Sequence, residues 1–277
     1  MKFALITGIT GMVGSHLTDY LLKNTNWKIY GLSRWRSPLD NIEHLLNQAN
    51  KKNSRVNFIY GDLNDYSSLV ECIKQSKPNY VFHLAAQSYP KTSFTEANLT
   101  LDTNVIGTYN LLNAINKSKF KPYVHVCSSS EIFGKVSKDK LPIDENCSFH
   151  PASPYAISKV GTDLIGRYFY EAYKMKVMVT RMFTHTGPRR GDVFAESTFA
   201  KQIALIESKK SPAIIKVGNL NSLRTFADVR DAVRAYYMLL TNKPKPGEVY
   251  NIGGNFTCKI GDMLNYLISL SKIKNIK

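Results

Sequence analysis

The chain has 277 residues, 43% of them hydrophobic, enough for one large α/β domain or a domain with a smaller lobe. No apolar run approaches the roughly 20 residues of a membrane helix, and Cys72, Cys127, Cys147 and Cys258 are too far apart for a metal site or a disulfide framework, so no membrane span and no metal are expected, and a reducing cytoplasm is. The formal net charge of +16 favours anionic partners, but the lysines are scattered and no basic stripe with interleaved aromatics marks a nucleic-acid binder, so most of the charge reads as solvated surface.

Short strand-like runs alternate with helical patterns through the first two thirds. KFALITG (2–8) reads as a first strand, not a signal peptide, and MVGSHLTDYLLKN as the helix after it. WKIYGLSR (27–34), VNFIYGD (56–62), YVFHLAA (80–86), YVHVCSS (123–129) and VMVTRMF (177–183) are further strands. SSLVECIKQ, VIGTYNLLNAINKS and PYAISKVGTDLIGRYFYEAY are helices between them. This order predicts a Rossmann-type, doubly wound α/β fold with a parallel sheet covered on both faces. After residue 184 the pattern loosens. THTGPRRGD is a loop, ESTFAKQIALIESKK a helix, AIIKVGN a strand, DVRDAVRAYYMLLTNK a helix capped by Asp228, GEVYNIGG a strand and IGDMLNYLISLSK a last helix. Residues 1–184 are therefore expected to bind a dinucleotide and carry catalysis, and 185–277 to form mostly a substrate lobe.

TGITGMVG (7–14) places Gly8, Gly11 and Gly14 between the first strand and first helix. Gly8 permits the tight turn, Gly11 lets backbone approach a pyrophosphate at the helix N-terminus, and Gly14 allows close packing. Thr10, Met12 and Val13 lie in the same turn and count as cofactor contacts. An acidic residue for a ribose 2′-hydroxyl is expected after the second strand in an NAD site. The chain instead has Ser33, Arg34 and Arg36, which suit a 2′-phosphate, so NADP is preferred over NAD. Asp62, ending the third strand, is placed to accept from the adenine amino group, and Leu63 to pack on the ring.

Tyr155 and Lys159, in SPYAISK, stand one helical turn apart on one face. An ammonium beside a phenol favours the phenolate, which suits a general acid/base. In CSSSEIFG (127–134), Glu131 sits among serines at a strand end, where its charge is expected to be poorly solvated and its pKa raised.

TGITGMVG, GDLND, FHLAAQS, NVIGT, CSSSEIFG and SPYAISK, in this order, resemble the extended short-chain dehydrogenase/reductases of the nucleotide-sugar epimerase/dehydratase branch. The likeness covers essentially the whole chain. It implies Ser129 as the active-site hydroxyl, Tyr155 as the acid/base and Lys159 as holder of the nicotinamide ribose, with Asn104 in the helix beneath. It adds Leu84, Ala85 and Ala86, and later His185 and Arg190, to the cofactor contacts. SRWRSPLDNIEHL, AAQS and GPRRGD narrow the likeness to the GDP-mannose 4,6-dehydratases. There Ser129-Ser130-Glu131 matches a hydroxyl–x–acid pattern, and Glu131 would be the C5 base and C6 acid of a water elimination. The same likeness implies a GDP-sugar substrate contacted by Gln87, Ser88, Ser129, Glu131, Thr184, Lys201, Val217 and Arg224. Arg189 or Arg190 would help hold cofactor or substrate. The segment after the second strand would reach a neighbouring subunit, so a homodimer or homotetramer is implied.

The pattern FNHESPRRG reads FTHTGPRRG here, so an expected asparagine is Thr184. FAKQIALIE with IIKVGNL also resembles GDP-4-keto-6-deoxymannose reductases, which keeps a reductase or epimerase as the alternative. A non-catalytic scaffold is disfavoured by the intact Ser129, Tyr155 and Lys159. The family extends several dozen residues further, with a basic Arg-Pro element, so part of the pocket is expected to lie outside this sequence.

Overall fold

The alternation of apolar and amphipathic runs builds a seven-stranded, wholly parallel sheet. The computed structural model describes residues 1–277. Strands β1 (Phe3–Thr7), β2 (Lys28–Ser33), β3 (Val56–Tyr60), β4 (Tyr80–His83), β5 (Tyr123–Ser129) and β6 (Lys176–Met182) are joined by helical crossovers. With β9 (Val249–Ile252) the spatial order is β3-β2-β1-β4-β5-β6-β9. The order reverses between β1 and β4, so their carboxyl ends open a crevice, the usual ligand site of such sheets.

Helix α1 (Met12–Asn24) covers one face of the sheet. On the chain between β2 and β3 lies the short α2 (Glu43–Leu46). The other face is covered by α3 (Tyr66–Ser76), by α6 (Gly107–Lys117) and by α7 (Pro154–Tyr173). Two short helices, α4 (Pro90–Thr95) and α5 (Ala97–Leu101), lead into a π-helical turn over Asp102–Ile106 that feeds α6. The two faces bury clusters of 18 and 16 residues, rich in Val, Ile and Leu as expected of strands covered on both sides. Helix α7 is pinned to β6 by a buried ion pair: Arg181 Nε donates to Asp163 Oδ2 at 2.8 Å, with Arg167 3.1 Å from Asp163. That pin fixes the helix carrying Tyr155 and Lys159.

The boundary near residue 185 is not clean. Strands β7 (His185–Thr186), β8 (Leu223–Asp228) and β10 (Phe256–Lys259) form a separate three-stranded sheet, joined by α8 (Ala195–Glu207) and α10 (Ile260–Ser269). Between them the chain returns: α9 (Val229–Thr241) packs with α1 on the large sheet, and β9 pairs with β6. Val229, Val233, Tyr236 and Leu240 give α9 an apolar face that only the large sheet can bury. Asp228 caps it as expected, accepting from Arg230 N–H at 2.7 Å.

The strand expected over AIIKVGN does not form. Its backbone instead exchanges two hydrogen bonds with Lys277, from Ile215 N–H to the Lys277 carbonyl (2.7 Å) and from Lys277 N–H to the Ala213 carbonyl (2.9 Å). The lobe strands β8 and β10 were not recognisable because both are short and half exposed, without strict alternation. No helix is long and apolar enough to cross a membrane.

Candidate active site

The glycine turn lies at the carboxyl end of β1. Gly8 has φ +72°, and a Cβ there would come within 2.8 Å of the Ala85 backbone. A side chain at Gly14 would collide with the Gly8 carbonyl oxygen, so this glycine seats the helix on its own turn. Gly11 is different: a Cβ would meet only the Gly8 oxygen, at 3.3 Å, and otherwise open space. Helix α1 begins at Gly11 without a side-chain cap and without an acid in its first turn. Its first N–H groups are thus left for an anion, as a pyrophosphate cradle requires. The segment after β2 folds back on the turn, with Asn41 Nδ2 donating to the Thr10 carbonyl at 3.0 Å.

Arg34 and Arg36 are exposed and neither is engaged in an ion pair; Arg36 lies 4.5 Å from the ring centre of the exposed Trp35. Two unneutralised guanidinium groups beside the buried Ser33 fit a 2′-phosphate, and no carboxylate stands there to repel one. Asp62 is half-buried and accepts from Asn64 N–H at 2.9 Å. Leu63 departs from expectation. Its side chain is buried in the core against Gly107, where it supports α6 and has little surface left for an adenine ring.

Beneath the crevice runs a dry hydrogen-bonded chain. Thr7 Oγ1 bonds His83 Nδ1 (2.9 Å) and accepts from the N–H groups of Leu84 and Ala85 (both 3.1 Å). His83 Nε2 bonds Thr108 Oγ1 at 2.9 Å, and Thr108 donates to the Asn104 carbonyl at 2.6 Å. Burial, then the charge of Lys159, lowers His83 to about 3, so its ring is neutral. The Asn104 side chain accepts from Gln87 N–H (2.8 Å) and donates to the Gln87 carbonyl and the Ser158 hydroxyl (both 2.9 Å). Its carbonyl, within the π-helical turn, accepts from two hydroxyls, those of Thr108 and Thr162. Such turns recur at functional sites. Gln87 itself spends its amide on its own loop, bonding Tyr89 and Thr100, and so is a loop brace where a substrate contact was expected. Ser88 beside it is exposed.

At the end of β5, Ser129 caps a 3₁₀ turn, its hydroxyl accepting from Glu131 N–H at 3.2 Å. This answers why an acid follows the serines: the turn needs no carboxylate, and the Glu131 side chain is exposed. The expected poor solvation of Glu131 does not hold. Its carboxylate still acts on Tyr155. Burial is the main influence raising the Tyr155 phenol; a hydrogen bond with Ser129 and the positive charge of Arg190 oppose it, while Cys127 and Glu131 add to it.

Lys159 is held by the end of β5. Its ammonium donates to the Cys127 carbonyl at 2.8 Å, and burial lowers its pKa. The cation that acts on Tyr155 is Arg190. Arg190 pairs with Glu196 (2.6 Å), donates to the His185 carbonyl (2.5 Å) and lies 3.9 Å from the Phe194 ring centre. Arg189, at φ +68°, turns the other way and pairs with Asp19 of α1 at 2.7 Å. The choice between the two arginines therefore falls on Arg190. His185 is lowered to about 4 by burial against a backbone hydrogen bond to Phe183 that raises it.

With that geometry in view, residues 5–276 match the profile of the family described as GDP-mannose 4,6 dehydratase. The chain belongs to that family. It is 35% identical over 264 residues to GDP-mannose 4,6 dehydratase 2 of Caenorhabditis elegans, covering 93% of this chain and 68% of that protein. It is 37% identical to the Drosophila melanogaster GDP-mannose 4,6 dehydratase over 86% of this chain and 61% of the relative. The chain thus spans about two thirds of the length of these relatives. Among solved structures it resembles RMD from Pseudomonas aeruginosa complexed with NADPH (TM-score 0.82, 28% identity, 98% of this chain and 83% of that one). It also resembles dTDP-glucose 4,6-dehydratase from Bacillus anthracis in complex with NAD (TM-score 0.83, 27% identity, all of this chain and 84% of that one).

Within this family member, the remaining predicted contacts lie in or beside the lobe. Thr184 is half-buried, its carbonyl accepting from Ala227 N–H at 2.9 Å. Val217 and Arg224 are exposed, and Lys201 pairs with Asp192 at 2.5 Å on the surface. These side chains are not drawn into one preformed cluster. Thr7, His83, Thr108 and Glu196 were missed by sequence reasoning. Only FHLAAQS hinted at His83, because a buried histidine in a strand has no spacing signature.

Proposed function

We propose that this chain is an NADP-dependent 4,6-dehydratase acting on GDP-mannose or a closely related GDP-sugar, forming the 4-keto-6-deoxy sugar. The observation that carries the reading is a solvent-reaching carboxylate, Glu131, two residues from Ser129 and close enough to Tyr155 to act on its phenol. The open cradle at Gly11 and the unpaired Arg34 and Arg36 support NADP. Bound NADP⁺ supplies the acceptor for hydride from C4 and its return to C6. Tyr155 would take the proton of the C4 hydroxyl; burial raises its phenol, and Ser129 and the charge of Arg190 oppose that only in part. Lys159 holds the end of β5 through Cys127 and would hold the nicotinamide ribose. Once C4 is a ketone, C5–H is acidic. Glu131 removes that proton and delivers one to the departing C6 hydroxyl, so water leaves without net oxidation.

The lobe residues Lys201, Val217 and Arg224 would take the nucleotide portion, Arg224 through its planar fork to the diphosphate. A homodimer or homotetramer is supported by the exposed Trp35–Arg36 stack after β2, and a cytoplasmic location by four unpaired thiols.

The test is incubation with GDP-mannose and a catalytic amount of NADP⁺. The expected product is lighter by one water, with no net NADPH consumed, and Glu131→Gln keeps NADP binding but loses dehydration. Stoichiometric NADPH oxidation with a 4-keto sugar, and no water loss from GDP-mannose, would establish the reductase instead.

A further inference from the structure

The end of the large sheet opposite the glycine turn carries a second concavity. The amino ends of β4, β5 and β6, with the turns before them, border an open depression of about 400 Å³ lined by Lys2, Lys77, Lys119, Lys121 and Lys176. No acidic residue is in the lining, and none of the five lysines takes part in an ion pair. Scattered surface lysines are ordinary, but five around one hollow without a counter-charge repel one another and favour an anion between them.

Three of the ammonium groups are held in place by aromatic rings. Lys2 Nζ donates to the Tyr80 hydroxyl at 3.1 Å and lies 5.3 Å from the Tyr80 ring centre. Lys176 lies 4.7 Å from the Tyr123 ring centre and Lys119 5.8 Å from that of Phe120. Less side-chain freedom is then lost when a ligand binds. The remaining polar groups are matched to the same purpose. Asn79 Oδ1 is taken by Phe3 N–H (2.8 Å) and its carbonyl by Tyr123 N–H (3.0 Å), which leaves its amide NH₂ to donate.

The rings also restrict what can bind. Tyr80 is stacked on Trp27 at 4.3 Å and faces Tyr123 at 6.1 Å, and Lys176 covers Tyr123. No ring face among these is open to a base. We propose that this depression is a second binding site, for a small multiply charged phosphate compound without a nucleoside, remote from the catalytic end of the sheet. Free polyphosphate and the phosphate of an anionic lipid share this chemistry. A concave hollow between strand ends fits the free anion.

The test is calorimetric titration of the full chain with tripolyphosphate at constant ionic strength, with saturating NADP⁺ so that the glycine turn is filled. Saturable binding at one site is expected. The triple variant Lys2→Gln/Lys121→Gln/Lys176→Gln should lose roughly tenfold or more in affinity, since each lysine supplies a charge-assisted hydrogen bond. The corresponding triple Lys→Arg variant should keep binding, and NADP⁺ affinity should be unchanged in both, which shows they are folded. Absence of saturable binding, or equal affinity in the Gln variant, would overturn the site. Binding to phosphatidylglycerol vesicles but not to tripolyphosphate would overturn the free-anion assignment.

Discussion

At the floor of the site, Thr7, His83, Thr108, Asn104 and Ser158 are all buried and joined by hydrogen bonds of 2.6–2.9 Å. In the lobe, Lys201, Val217 and Arg224 are exposed, and the local core is a cluster of only five buried residues. The floor is organised before any ligand arrives, because unmet polar groups in a dry core are costly. The lobe presents long, solvated side chains whose order has to come from what they bind. Preorganisation is thus concentrated in the floor, and adaptability in the lobe proposed to take the nucleotide.

The sharpest break of this contrast is Tyr155→Phe. It removes the acid/base from the rigid side, and turnover should fall about 10²- to 10⁴-fold while NADP binding, read by fluorescence, persists. Acid should also separate the two regions. His83 and His125 are each lowered to about 3, chiefly by burial, with Lys159 adding at His83 and first His83, then Lys159, adding at His125. The unfolded chain binds protons below the ordinary histidine value of about 6.5 and the folded chain does not, so stability is complete above that pH and falls as pH drops through it toward 3. The slope should reach about 1.4 kcal/mol per pH unit for each histidine, measured by denaturant unfolding at a series of pH values. Both residues belong to the large sheet, so its unfolding should carry the dependence.

Asn104→Leu strands the Gln87 backbone N–H and carbonyl and removes the donor to the Ser158 hydroxyl, which keeps only its bond to the Tyr155 carbonyl. A loss of about 3 kcal/mol is expected in denaturant unfolding, together with reduced kcat. If kcat alone changed, the floor would be less cooperative than its hydrogen bonds imply. Arg224→Ala should raise KM for the GDP-sugar roughly tenfold, with kcat and the unfolding midpoint little altered. A marked stability loss would mean that the lobe is as preformed as the floor.

The legible part of the molecule follows this same division. The parallel sheet could be read because strands covered on both faces are apolar throughout, and α7 because its pattern runs unbroken from the Ser153 cap to Tyr173. The glycine turn and Tyr155 carried local signatures. Glu131 was found by its place in CSSSEIFG, but its exposure was misjudged because strand-end burial was extended one turn too far. The Lys159–Cys127 contact and the approach of Arg190 to Tyr155 join segments far apart in sequence, and no spacing announces them. Strands β8 and β10 were missed for want of a buried face to impose alternation.

The π-helical turn at Asp102–Ile106 has a consequence for how this chain can vary. It holds one more residue than an α-helical turn would, and within it the Asn104 carbonyl accepts from Thr108 and Thr162. Deleting one residue there would let the turn close into regular α form with the helix on either side still in phase, while the residues inside the turn, Asn104 among them, change direction. A length change in this segment would therefore disturb the floor of the site, where Asn104 bridges Gln87 and Ser158, without unravelling the helix that carries it.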